Sequence, residues 1–291
     1  MISKTRSGSE PGSRKPLAPA KRFAEALPAL PMILFTLVFV LAPILYAVYL
    51  SFMTRTDTWQ VQAIFTLDNY KDLLDPRYAG YYGQSFRLAV TVTALTGLMG
   101  YPAGLTLATL PPKKQRTLLS VITFPFWINS VVRITGIIIL LRTGGPLGSL
   151  QLLYTYPAVV ITMIYALLPF MIYSVYSVAV KLDRYVPEAA RVLGATKRRA
   201  FLDVTLPLTV KGLLTGITLT FIPSMGLIYI SNLLGGGKIV LVGNLIEDQL
   251  MKTHNLPLAA ALSVVLMILT GAVILLTHRL DPVARRRRRS V

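Results

Sequence analysis

Residue types that make and break bonds are scarce in this sequence, and those present stand apart from one another. The chain has no cysteine, which removes thiolate nucleophiles, disulfides and cysteine metal sites together. Its two histidines, His254 and His278, have no partner at metal-ligand spacing and read as solvated side chains on loops. Gly235 to Gly237 form a glycine triplet, but no Lys-Ser/Thr follows, so it reads as a turn and not a phosphate loop; no Walker motif occurs elsewhere. What remains is chemistry of contact. Arg133 stands deep in an apolar run with Asn129 and Ser130 one turn away, and an ionisable residue at such depth points to a pathway or gate, unless it lies near an interface or pairs with a neighbouring carbonyl. The stretch VPEAARVLGATKRRAFLDVTLPL, residues 186 to 208, is charged and broken by one glycine, with a long apolar run on either side.

The elements that position these residues follow from composition. Hydrophobic residues make up 54% of the 291 positions and charged residues 14%, with a mean hydropathy of +0.60, so the chain reads as an integral membrane protein. The formal charge of +18 does not signal nucleic acid, because the basic residues cluster between apolar runs and not on a soluble, aromatic-studded face. A bilayer core needs about 20 apolar residues per helix. Six stretches meet that length: Leu27 to Phe52, Phe86 to Leu110, Leu118 to Leu141, Leu152 to Val180, Leu206 to Ile230 and Leu256 to Thr277. Pro43, Pro102, Pro125, Pro169 and Pro223 fall inside them and predict kinks, which helix bundles tolerate.

Lysine and arginine are retained on the cytoplasmic side. With the N-terminus inside, twenty-one basic residues fall in inside segments and six in outside loops, and the bias holds at every loop. Both termini are therefore expected in the cytoplasm, with residues 1–26 a disordered basic tail, 27–280 the membrane domain and 281–291 a second basic tail whose run Arg285 to Arg289 would lie on the anionic leaflet. The segment 181–206 is inside as well. At that length it should carry structure of its own. Pro187 suits the first position of a helix, Glu188 the first turn, and Lys197 to Arg199 lie where the dipole favours cations. Ala189, Val192 and Leu193 share a face, while Ala190 and Gly194 permit close approach of another backbone. Gly194 ends or bends this surface helix, Phe201, Val204 and Leu206 form a second apolar patch, and Pro207 is expected to open the fifth span.

Glu188-Ala189-Ala190, Gly194-Ala195, Phe201, Val204 and Leu206-Pro207 resemble the EAA loop of MetI-like inner-membrane permeases of binding-protein-dependent ABC importers. FTLDNYKDLL at 65–74, LPFMIYSVYSVAVKLDRYVPEAA leading into the loop and SNLLGGGKIVLVGNLIEDQL before the sixth span resemble the spermidine/putrescine branch in particular. The likeness runs from about Leu27 to Leu280. It implies an all-α permease of six transmembrane helices in a bacterial inner membrane, with no cofactor and no catalysis of its own. It further implies a second permease chain, two copies of a separate ATPase, and a soluble binding protein that delivers the solute. Glu188, Ala189, Ala190, Gly194, Ala195, Phe201 and Pro207 would make the coupling helix that docks in the ATPase. A polyamine is the cargo the branch implies, with opines, thiamine, iron and phosphonates carried by other members. The pathway would then offer the aromatic faces of Trp127, Tyr165, Tyr173 and Tyr229, beside Asn129 and Arg133, to a passing ammonium. KIVLVGNLI, within the external stretch 231–257, is expected to be a short re-entrant or periplasmic helix that helps receive the binding protein, and the loop 53–85 is the other candidate for that contact.

Two other classes fit less well. An ion-coupled secondary transporter would normally show intramembrane acidic groups or broken repeats, and none of the twelve acidic residues lies well inside a span. A membrane-embedded enzyme would need a nucleophile, base or metal cluster.

Overall fold

Where each long helix begins and ends is decided by prolines, caps and glycines as much as by hydropathy. The computed structural model describes residues 30–56, 60–182 and 185–280, so the two expected tails lie outside the described residues. Among the described residues, five helices are long and apolar enough to cross a membrane: α1 Leu30–Ser51, α3 Pro76–Thr109, α6 Tyr156–Ala179, α8 Lys197–Gly226 and α11 Leu256–Leu280. Between them lie α2 Asp68–Asp72, α4 Pro112–Thr123, α5 Ser130–Leu141, α7 Tyr185–Val192, α9 Ile228–Gly235 and α10 Val242–Met251. A two-residue antiparallel pair, β1 Thr54–Arg55 with β2 Val61–Gln62, is the sheet among the described residues. Of the described residues, 30–47 belong to one compact unit and those from 48 onward to a second, larger one.

The expected third span is not one straight helix. α4 tightens into a 3-10 turn at Phe124–Trp127, Ile128 is extended, and α5 restarts at Ser130 with Asn129 as its cap, accepting from the Val131 N–H at 2.8 Å. The two halves meet at 93°. Pro125 lacks an N–H to continue the ladder, and an Asn cap supplies the next helix with a fresh start, so the chain turns there. The membrane-crossing helices number six only if this bent pair is one span.

The other long helices differ from hydropathy at their ends. α3 begins ten residues before the expected Phe86 because Asp75 caps it, accepting from the Arg77 N–H at 2.9 Å, with Pro76 at the first helical position. The fifth span begins at Lys197, not Leu206, and stops at Gly226, where Leu227 leaves helical geometry (ψ 73) before α9. Pro207 accordingly lies inside α8. It is accommodated because residues 200–205 form a π turn in which the Leu206 N–H bonds Phe201 O, five residues back. α1 repeats the device: the Ala42 N–H bonds Leu37 O immediately before Pro43. A widened turn ahead of each ring absorbs the carbonyl that proline would strike.

In the larger unit, α6 is the central rod, packed by α3 on one side and α8 on another. Glycines set the spacing. A methyl at Gly104 would stand 2.9 Å from Ile172 O, and one at Gly212 would stand 2.8 Å from Ser174 O. Gly100 and Gly216, one turn further along, both meet Met171. The two small-xxx-small faces therefore grip the same stretch of α6, where van der Waals packing drives helix association in lipid. A buried apolar cluster of Leu88, Val92, Ile134, Val159, Met163, Leu167, Ile230 and Leu234 joins α3, α5, α6 and α9.

Candidate functional site

The charged segment after α6 forms helix, turn and helix. α7 carries Glu188 in its first turn and buries none of its side chains. Gly194 at φ +94 stops it: the Ala195 N–H reaches Ala190 O and the Gly194 N–H reaches Arg191 O, both at 3.0 Å. That bond pair is a Schellman stop, and its left-handed residue favours glycine. Thr196 then caps α8, accepting from the Arg199 N–H at 3.3 Å. The expected apolar pair Val192 and Leu193 is left uncovered by the described residues, at 86% and 89% exposed. Phe201, still partly exposed, meets Tyr101 of α3 edge to face at 6.3 Å, and the Tyr101 hydroxyl bonds Thr209. α7 therefore presents an unpartnered face on a segment whose far end is anchored to the bundle.

Behind α7 lies a cavity of about 600 Å3 lined by Pro187, Glu188, Thr205, Gln115, Pro112 and the ends of α3 and α6. Gln115 is the residue that sequence reasoning missed. Its buried amide donates to Ala108 O (3.1 Å) and Leu110 O (2.8 Å), carbonyls left over at the end of α3, and its oxygen accepts from the Tyr176 hydroxyl at 2.9 Å. A polar residue just beyond a Pro-Pro stop was the available signal.

The bend between α4 and α5 builds a second, strongly apolar cavity of about 320 Å3. Arg133, Tyr165 and Tyr229 line it, joined by Phe126, Phe170, Thr162, Pro223 and Leu227. The Arg133 guanidinium lies 5.2 Å from the Phe126 ring centre and 5.9 Å from that of Tyr165. Its Nε is buried with no hydrogen-bond partner. The other expected pathway residues lie elsewhere: Asn129 caps α5, Trp127 is 82% exposed, and the Tyr173 hydroxyl is engaged by Thr123 and by Leu119 O.

At the opposite end of α3, α10 covers part of the expected external helix, starting at Val242 and not Lys238. Asn244 accepts from the Leu241 N–H and donates to Asn232, and the Val242 N–H donates to Ser85 Oγ. In the 53–85 loop, Asn69 ties back to Ser51 O and Met53 O. The Lys71 ammonium beside Asp68 holds that carboxyl below its ordinary range. His278 sits within α11, not on a loop, and shares a small cleft with Lys211.

Residues 100–288 match the family described as binding-protein-dependent transport system inner membrane component. The chain belongs to that family. This inner-membrane, multi-pass permease is 40% identical over 252 residues to the spermidine/putrescine transport system permease protein PotB of Escherichia coli (strain K12), covering 83% of this chain and 92% of that one. It is 36% identical to the protein of the same name from Haemophilus influenzae, over 86% and 91% of the two chains. In fold it is similar to a chain in the crystal structure of a bacterial ABC transporter involved in the import of the acidic polysaccharide alginate, with a TM-score of 0.67, 16% identity and 90% and 96% of the chains covered. As a permease of a binding-protein-dependent system, the chain transports and does not catalyse.

Proposed function

We propose that this permease forms, with a second and similar permease chain, the pathway of an ABC importer for polyamines such as spermidine and putrescine. The observation that carries the cargo is the 40% identity to a spermidine/putrescine permease over 83% of the chain. With the bent α4–α5 pair counted as the third of six crossings, both termini share a side with α7, and the lopsided distribution of lysine and arginine supports reading that side as the cytoplasm. α7, with Glu188, Ala189, Ala190, Gly194 and Ala195, is the coupling helix. Its apolar pair, exposed in this chain, is covered by an ATPase subunit, of which the complex holds two. Closure of the ATPases on ATP draws the coupling helices together, the bundles rock outward, and a soluble binding protein delivers its solute at the face carrying α2 and α10. Hydrolysis resets the complex inward.

The experiment is to co-express the chain with its genomic neighbours, purify the complex gently, and reconstitute it in liposomes. Recovery of an ATPase and a second permease, with ATP-dependent uptake of labelled putrescine, is the expected result. An assembled complex that takes up another solute and no polyamine removes the cargo assignment; a chain that purifies alone removes the importer.

A further inference from the structure

Arg133 is out of place in electrostatic terms. Among the described residues it has no ion pair, its Nε is buried without an acceptor, and no acidic side chain lines its cavity. Unpaired charges at such depth are costly, and the residue nonetheless holds a defined place. What holds it is aromatic: the Phe126 and Tyr165 faces at 5.2 and 5.9 Å, with Phe126 itself braced edge to face on Phe170 at 5.4 Å. Two ring faces on one cavity, within about 6 Å of a cation, are the elements of a cation site that works without carboxylates.

We propose that Phe126 and Tyr165 form an aromatic site for an organic ammonium, and that Arg133 is its tethered occupant, filling the site until a cationic ligand displaces it. Two unpaired positive charges a few ångströms apart in an apolar cavity repel strongly, so the ammonium and the guanidinium exclude each other from the rings. The contact is built to be released. No hydrogen bond fixes Nε and no salt bridge fixes the head group, so a competing cation has only the two π contacts to replace. The tethered cation therefore sets a threshold: a ligand must bind the rings better than a guanidinium already held beside them. The cation class agrees with the polyamine cargo proposed above, but the competition does not depend on which amine is carried.

The chain's lack of cysteine makes the test direct. In the purified importer complex, Arg133→Cys should bind radiolabelled tetramethylammonium at least tenfold more tightly than the unmodified complex. Reaction with aminoethyl methanethiosulfonate, which hangs an ammonium at the same position, should reverse the gain. Methyl methanethiosulfonate should not, and Tyr165→Leu added to Arg133→Cys should abolish it. The wild-type complex treated with each reagent controls for cysteines on other subunits. Equal affinity in wild type and Arg133→Cys, or a gain that survives aminoethylation, overturns the proposal. If Arg133→Cys fails to assemble, Arg133→Met against Arg133→Lys makes the same comparison, with the gain expected only in the former and an equal response overturning the idea. Tetramethylammonium binding that behaves as expected in a complex taking up no polyamine would refute the cargo and keep the cage; polyamine uptake with no gain in binding would do the reverse.

Discussion

Gln115 shows how much a single polar side chain can hold in a membrane bundle. It satisfies two carbonyls at the end of α3 and anchors α6 through Tyr176. Gln115→Leu should lower stability by about 1–3 kcal/mol, the cost of leaving such groups unpaired, seen as a lower thermal midpoint of the purified complex. Glu188 is the opposite case. It is exposed, so Glu188→Ala should leave the amount of protein in the membrane unchanged while uptake falls at least tenfold; equal uptake at equal expression would remove its coupling role. Arg133 and Glu188 were legible as single residues because a charge flanked by apolar or small residues is conspicuous. Phe126 and Phe170 were not, since an aromatic in an apolar run looks like any lipid-facing side chain until the backbone turns it towards a neighbour.

At the scale of elements, hydropathy located the long helices and misjudged their ends. The averaging that detects a span runs smoothly across FPFWIN, so the 93° turn there left no mark, although Pro125 and Asn129 each carried a local signal for it. Charge misled in the other direction. Lys197 to Arg199 read as the cation-favouring end of the surface helix, yet the Thr196 cap and the π turn before Pro207 make them the first turn of the fifth span. Spacing of glycines is a subtler code that hydropathy does not read at all. Because a Cβ at Gly212 meets backbone first, Ser174 O at 2.8 Å and Val175 Cα at 3.0 Å, which cannot swing away as a side chain could, Gly212→Val should cost about 1–3 kcal/mol through overpacking against α6. Loss of folded protein from the membrane, with Gly271→Val tolerated at an open position, is the measurable contrast.

For the whole molecule, the basic residues make a claim about sides that single-cysteine labelling can check, since the background is free of cysteine. With a membrane-impermeant maleimide, Lys238→Cys should react in intact spheroplasts, and Lys197→Cys only after the membrane is opened; the reverse pattern would invert the topology. The order of elements also fixes how distant places communicate. α8 is thirty residues long, or about 45 Å, beginning one turn beyond the Gly194 stop. Its far end supplies Pro223 and, just past the helix, Leu227 to the cavity that holds Arg133. One connecting rod thus has its crank pin in the charged surface segment and its piston head at the aromatic cavity. The π turn at 200–205 with Pro207 near one end, and Pro223 near the other, are where that rod can bend, and the Gly194 stop separates it from α7, so a displacement at one end is shared between those joints and the far cavity.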